Sequence, residues 1–215
     1  MDMEYNELRK IIANEVVSLL FERTGAKIVP VAVSNRHVHL SEEHMGVLFG
    51  EGYAFEVLRS LSQPGQFAYK ETVDIAGPKG LLKGVRVLGP ARPRTQIEVS
   101  VTDTFALGVP AMVRMSGDVE GSAGCRIIGP RGEADLKEGL MVSKRHLHLS
   151  AAQAERYGLS DGDMACVKIG GERAMTLGGI IVRAGDGHEM EIHIDTDEAN
   201  AALIKNGAYA ELVGP

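Results

Sequence analysis

The chain has 215 residues, 44% of them hydrophobic and 5% aromatic, and a formal net charge of −6. This length suits one large domain or two small ones, and an acidic balance without a long basic run argues against nucleic acid as a partner. No apolar run approaches the roughly 20 residues that a membrane-spanning helix needs, and no signal-peptide pattern opens the chain, so we expect a cytoplasmic protein.

Residues 4–23 carry apolar side chains at spacings of three and four, which predicts an amphipathic helix. Gly25 follows it as a stop signal. Such a helix either packs on its own domain or a second subunit, or serves as a targeting segment that docks into the groove of a partner. The pattern leaves both interpretations open.

Short strands separated by Gly–Pro turns are predicted along most of the remaining chain. They fall within residues 27–40, 67–135, 138–149 and 165–213. Short helices are predicted after Ser41 and Ser150, which suit an N-cap, and near residues 197–205. Many short, evenly spaced strands favour small barrels over a doubly wound sheet. We therefore expect two β-barrel units that place their histidine motifs at a common junction.

An octapeptide at residues 34–41 returns at residues 143–150 with six of its eight positions identical. Each copy contains His-x-His, and four of the seven histidines of the chain lie in these copies. Alternate residues of a strand share a face, so both imidazoles of a copy point the same way. Each copy therefore resembles half of a metal site.

Two catalytic metal ions that each keep an open position need about six protein ligands. His193 lies in an alternating strand, and Glu98 lies between Ile97 and Val99, where a carboxylate requires a partner such as a cation. Both are candidates to complete the four imidazoles of the repeated motif. Histidine with one carboxylate suits zinc, with manganese, iron or cobalt as alternatives.

Arginines near these motifs suit an anionic substrate, above all phosphate, because the guanidinium group binds it in a bidentate manner. Arg36 and Arg145 directly precede the first histidine of each motif, and Arg92 lies six residues before Glu98. A surface ion pair is the ordinary role of any single arginine, and the sequence leaves that alternative open.

Two other functional classes compete with a metal-dependent transfer reaction. His37, His39, Glu43 and Gly50 match part of the first cupin motif, but Val31 stands where that motif expects glycine, and the second cupin motif has no clear counterpart. A cupin-like oxygenase is therefore one alternative. A non-catalytic scaffold protein stabilised by metal is another.

Five separated segments together resemble the PduL-type phosphotransacylases, or phosphate propanoyltransferases. They are residues 34–41, 71–73, 77–80, 89–98 and 143–150. The resemblance runs in order from about residue 28 to residue 213. It implies a mainly β protein of two small β-barrels with short capping helices: residues 26–35 and 144–215 form one barrel, and residues 36–143 form the other, with a helical insertion near residues 50–70. Residues 1–25 form the N-terminal helix.

The resemblance also implies an activity and a site. Family members transfer a short acyl group, propanoyl or acetyl, reversibly between coenzyme A and phosphate, and we expect direct transfer in a ternary complex. The site holds two divalent metal ions, usually zinc. The family's ligands fall on His37, His39, Glu98, His146, His148 and His193. Its phosphate-contacting arginine falls on Arg92, which we expect to be catalytic, and its motif serine falls on Ser34.

The expected partners follow from the same resemblance. They are acyl-CoA and phosphate; we also expect a second copy of the chain in a homodimer and, from the charge and hydropathy pattern, neither nucleic acid nor a membrane. Some members are encapsulated in bacterial microcompartments by means of an N-terminal encapsulation peptide. Residues 4–23 are a candidate for such a peptide, which would contact shell or core proteins and place the enzyme in the lumen.

Overall fold

The computed structural model describes residues 2–214, apart from the side chains of residues 2–7 and Lys10. Strands dominate this part of the chain. The helices are α1 (Asp2–Thr24), α2 (Glu42–Phe49), α3 (Val101–Leu107), α4 (Ala151–Tyr157) and α5 (Thr196–Ala202). The strands are β1 (Lys27–Ser34), β2 (His37–His39), β3 (Val57–Ser60), β4 (Phe67–Ala76), β5 (Leu81–Gly89), β6 (Gln96–Val99), β7 (Val113–Arg114), β8 (Ala123–Ile128), β9 (Glu133–Ser143), β10 (His146–Leu149), β11 (Met164–Ile169), β12 (Met175–Ala184), β13 (Glu191–Asp195) and β14 (Ala208–Gly214).

The chain divides into two compact units. One contains the residues up to Val33, Arg145–Ile194 and the residues from Ala199 onward, and the other contains Ser34–Lys144 and Asp195–Glu198. In the first unit six strands close a barrel in the order β1-β13-β10-β12-β11-β14. Alternate side chains of these strands point inward and form an apolar core, which includes Val29, Leu147, Val167, Ile180, Ile192 and Leu212. Removal of this apolar surface from water stabilises the barrel.

The second unit contains a barrel closed by β4-β5-β2-β6-β9-β8, because β8 pairs with both β9 and β4. The edge strands β3 and β7 extend it by pairing with β4 and β9. Its core includes Val38, Val73, Val85, Ile97, Ile127 and Leu140. The prediction of a mainly β protein with two barrels and short helices is confirmed.

The two barrels repeat one topology, with β2 and β10 in equivalent positions. Each pairs in parallel with one neighbour, β5 or β12, and antiparallel with the other, β6 or β13. The strand that precedes each of them in sequence belongs to the other barrel: β1 precedes β2 but closes the first barrel, and β9 precedes β10 but lies beside β6 in the second. The octapeptide repeat is therefore part of a duplicated barrel with exchanged strands.

Residues 50–70 contain no helix, so the helical insertion expected there is wrong. α2 ends at Phe49, and the C-cap residue Gly50 has a φ of 101°, which suits glycine and not a continuing helix. The chain then turns and forms the edge strand β3. Aromatic side chains, which favour strands, pack together across this stretch: Phe55 contacts Phe49 and Tyr69 with ring centroids 4.7 and 4.9 Å apart.

α1 confirms the helix predicted for residues 4–23 and extends it slightly at both ends. Val17 is buried, Phe21 packs on Tyr157 with ring centroids 5.4 Å apart, and Arg156 donates a hydrogen bond to Ser18. Among the described residues of α1, the large apolar side chains that are exposed are Leu8, Ile11, Ile12, Val16, Leu19 and Leu20. Within the described residues, no helix combines the length and apolar character needed to cross a bilayer.

Candidate metal and substrate site

The histidines of β2 and β10 lie on the face of their strand that points away from the barrel core. In β10, Leu147 packs in the core, so alternation turns His146 and His148 to the opposite face, where both are still buried. β2 repeats the arrangement, with Val38 in the core between its two histidines. The alternation of side chains along each strand therefore places the apolar residue in the core and both imidazoles together on the opposite face.

The adjacent antiparallel strand supplies a third candidate ligand in each barrel. Glu98 on β6 lies directly opposite His37, and His193 on β13 lies directly opposite His146. Such cross-strand neighbours have Cβ atoms about 4.5–5.5 Å apart. We call His37, His39 and Glu98 the mixed triad, and His146, His148 and His193 the imidazole triad.

The imidazole triad could hold a metal ion, because one nitrogen from each ring lies within 4.8 Å of the other two. The ring centroids of His148 lie 4.8 Å from those of His146 and 5.0 Å from those of His193. Burial, with help from the neighbouring His146 and His193, lowers the pKa of His148 to about 2. The ring is therefore neutral at physiological pH, which is the form that binds metals.

The mixed triad also brings atoms that could bind a metal ion close together. His37 Nδ1 lies 2.9 Å from the carbonyl oxygen of Asn35, so in the neutral ring Nδ1 donates and the lone pair of Nε2 faces Glu98 Oε2 at 3.6 Å. His39 Nδ1 is buried and has no hydrogen-bond partner among the described residues. Burial lowers the pKa of His39 to about 3. Two imidazoles and a carboxylate fit zinc, and also manganese, iron or cobalt.

Arg92 lies beside the mixed triad. Its backbone N–H donates to the carbonyl of Leu40 at 2.9 Å, and its Nη1 donates to Gln96 Oε1 at 3.1 Å and to Ser116 Oγ at 3.3 Å. Gln96 and Ser116 in turn donate to Glu98 Oε1. The guanidinium of Arg92 also contributes to the low pKa of His39. A cation suited to phosphate is thus connected to a candidate metal ligand through two side chains.

Sequence comparison relates the chain to one protein family. The phosphate propanoyltransferase family profile matches residues 30–205. The chain is 47% identical over 200 residues to the phosphate propanoyltransferase of Thermotoga maritima, a match that covers 93% of this chain and 94% of the relative. It is 43% identical over 203 residues to that of Clostridioides difficile (94% and 97%) and 41% identical over 208 residues to that of Salmonella typhimurium (96% and 99%).

The chain belongs to the phosphate propanoyltransferase family. It is therefore an acyltransferase. In this family member the structure brings His37, Glu98 and Arg92 of one unit into one network, and it groups the imidazole triad within the other unit.

The structure also describes the remaining sequence candidates. Ser34 is half-buried at the end of β1, three residues before His37. Arg36 forms an ion pair of 3.1 Å with Asp103 at the start of α3. Arg145 donates to the carbonyl of Gly178 at 2.7 Å. Arg36 thus forms an ion pair, which is the alternative that the sequence left open, whereas Arg145 binds a backbone carbonyl.

Sequence reasoning missed three side chains of the site. Gln96 could have been found, because it stands two residues before Glu98 on the same strand and therefore on the same face. Ser116 lies in the loop after β7, where no periodic sequence pattern predicts the direction of a side chain. His188 lies in the loop after β12, and its Nδ1 is 3.0 Å from Nδ1 of His148. Burial lowers the pKa of His188 as well.

Proposed function

We propose that this acyltransferase transfers a short acyl group reversibly between coenzyme A and inorganic phosphate. Family membership supports the reaction class, and the observation that carries the proposal is the connection of Arg92 to Glu98 through Gln96 and Ser116. This connection would place the guanidinium group of Arg92, which can bind phosphate through two parallel hydrogen bonds, beside the carboxylate that we expect to bind a metal ion. Propanoyl and acetyl groups differ by one methylene, worth only about 1–3 kcal/mol, so we expect both propanoyl-CoA and acetyl-CoA to react.

We infer that two divalent cations bind, one on each triad, and zinc is the first candidate for both. Three protein ligands leave one position of a tetrahedral ion open, as in catalytic zinc sites. The donor atoms of the imidazole triad and the converging lone pairs of His37 and Glu98 support this assignment. When bound, such ions supply polarisation of a carbonyl and stabilisation of a thiolate.

The transfer breaks the C–S bond of the thioester and forms a C–O bond between the acyl carbon and a phosphate oxygen; coenzyme A leaves as a thiolate and takes up a proton from solvent. Phosphate is a weak nucleophile, so Arg92 would hold it close to the acyl carbon and offset its charge. Ser34, the motif serine, would add a second contact to phosphate. We propose direct transfer in a ternary complex, and isolation of a catalytically competent acyl-protein would contradict it.

The decisive experiment follows free thiol release from propanoyl-CoA by protein of known metal content, with and without phosphate. We expect release that requires phosphate, disappears on chelation and returns with zinc. Release without phosphate would indicate a thioesterase. No release from protein that holds its metal tightly would favour a scaffold protein, and iron-dependent oxygen uptake would favour a cupin-like oxygenase.

We also propose that α1 is an encapsulation peptide that takes the homodimeric enzyme from the cytoplasm into a bacterial microcompartment by binding shell or core proteins. The exposed apolar side chains of α1, such as Leu8, Ile12 and Leu19, support this role, since they leave an apolar surface of the helix open to a partner. Residues 1–24 fused to a fluorescent protein should produce punctate fluorescence in cells with microcompartments. Uniform fluorescence would contradict this role.

The proposed homodimer has its own test: light scattering measures the mass of the protein in solution and should give twice the mass of one chain.

A further inference from the structure

His188 is a fourth histidine at the imidazole triad. It lies in the loop between β12 and β13, which is anchored where the backbone N–H of Gly185 donates to the carbonyl of Leu149 at 3.1 Å. Gly187 has a φ of 84°, a conformation that glycine tolerates and that lets the chain turn back toward β10. The rings of His188 and His148 then lie 4.5 Å apart between centroids.

The contact between these two rings limits which nitrogen can donate and which can accept a hydrogen bond. Their Nδ1 atoms are 3.0 Å apart, and a hydrogen bond at that distance needs one donor and one acceptor. If His148 Nδ1 is engaged with His188, Nε2 is the nitrogen left for an ion. A neutral imidazole that coordinates through Nε2 carries its proton on Nδ1, so His148 donates and His188 accepts.

We propose that His188 is a positioning residue for the metal ion of the imidazole triad: it accepts the Nδ1–H of His148 and thereby holds this ligand in the tautomer and orientation that coordinates through Nε2. Metal-ligating histidines usually donate their second nitrogen to a carboxylate, a carbonyl or water. A histidine acceptor performs the same role here. His188 lies outside the group of three whose donor atoms converge, which favours an outer partner over a fourth ligand.

The duplicated barrel provides an internal comparison. His39 occupies in β2 the position that His148 occupies in β10, yet its Nδ1 is buried without a hydrogen-bond partner in the described part of the chain. His188 therefore distinguishes the two triads. Its loss should affect the ion of the imidazole triad and leave the ion of the mixed triad in place.

The test measures zinc affinity by competition with a chromophoric chelator for the wild type, His188→Ala and His188→Asn. Removal of outer partners typically weakens metal binding 10- to 100-fold, and we expect a loss of about that size for one of two zinc ions in His188→Ala. Asparagine places an amide oxygen near the position of Nδ1 and should restore most of the affinity. His44→Ala is the matched control, because His44 bonds Thr95 in the other unit.

A nitrogen-resolved NMR spectrum of histidine-labelled, zinc-loaded protein gives the second readout. We expect a protonated Nδ1 and a coordinated Nε2 for His148, and a lone pair on Nδ1 of His188. Unchanged affinity in His188→Ala, a zinc-bound His188, or no zinc binding by the wild type would each overturn the proposal. It rests on the proposed metal binding but not on acyl transfer, so a protein that binds zinc as described and releases no thiol would refute the reaction alone.

Discussion

We propose that phosphate recognition depends on Arg92, because its guanidinium reaches the mixed triad through Gln96 and Ser116. We predict that Arg92→Ala lowers phosphate-dependent thiol release about 10²–10³-fold, as expected for loss of one preorganised charge, with the zinc content unchanged. Arg92→Lys should recover little, since an ammonium cannot form the fork. Arg94→Ala is the matched control, because Arg94 pairs with Glu138 at the surface. Loss of zinc from Arg92→Ala would make Arg92 a structural residue.

Burial of His39 makes the metal-free protein sensitive to acid. The pKa of His39 is about 3 in the folded state and about 6.5 in the unfolded chain, so between these values the unfolded state binds the extra proton. The free energy of unfolding of chelator-treated protein should therefore be at its highest above pH 6.5, and His39 alone should contribute a fall of up to ~1.4 kcal/mol per pH unit below it. Denaturant titrations from pH 7 to 4.5 measure this slope. His39→Gln should show a shallower slope, and an identical slope would contradict the prediction.

Strand alternation explains which site residues the sequence could reveal. Within β2 and β10 the period of two identifies the histidine pairs, and within β6 it associates Gln96 with Glu98. Glu98 lies opposite His37 because of the register between β2 and β6. That register depends on the pairing of strands that are distant in sequence, so no local pattern reveals it. Ser116 and His188 lie in loops whose paths follow from tertiary contacts, so no local pattern predicts them.

Among the elements, α4 begins directly after the second histidine strand, and its N-terminus is held by a capping box. Ser150 Oγ accepts from the N–H of Gln153 at 3.3 Å, and Gln153 Oε1 accepts from the N–H of Ser150 at 2.9 Å. Ser150→Ala should lower the free energy of unfolding by about 1 kcal/mol, the usual value of an N-cap. Ser150→Thr, which keeps the acceptor, should lose much less. Equal denaturation midpoints for wild type and Ser150→Ala would show that the cap is dispensable.

The C-terminal half of α1 packs on the first unit. Deletion of residues 1–24 removes the buried Val17 and the contact of Phe21 with Tyr157, so we expect the free energy of unfolding to fall by roughly 2–5 kcal/mol. Zinc content and thiol release should persist. Phe21→Ala in the full chain should reproduce part of the loss, whereas Leu8→Ala, at an exposed position, should not. Loss of zinc on deletion would show that α1 supports the site.

At the scale of the whole molecule, the repeat of residues 34–41 at 143–150 indicated a duplication, and the even spacing of short strands indicated barrels. The exchange of β1 and β9 between the barrels does not follow from those patterns, because periodicity identifies a strand but not its neighbour. The helix expected near residues 50–70 failed for a related reason: glycines and aromatic side chains there serve an edge strand and its packing.

Duplication also predicts how the molecule binds metal. Each triad is set by the register of its own barrel, so removal of one ligand should empty one triad and spare the other. We expect about two zinc ions per chain in the wild type and about one in either His37→Ala or His146→Ala. Thiol release should fall at least ~100-fold in both variants, because polarisation and charge stabilisation by both ions are then incomplete. Elemental analysis after gel filtration measures the stoichiometry, with circular dichroism to confirm folding and His44→Ala as the control that keeps two ions. Loss of both ions from a single variant would contradict independent triads, and two ions retained by His146→Ala would remove His146 from the ligands.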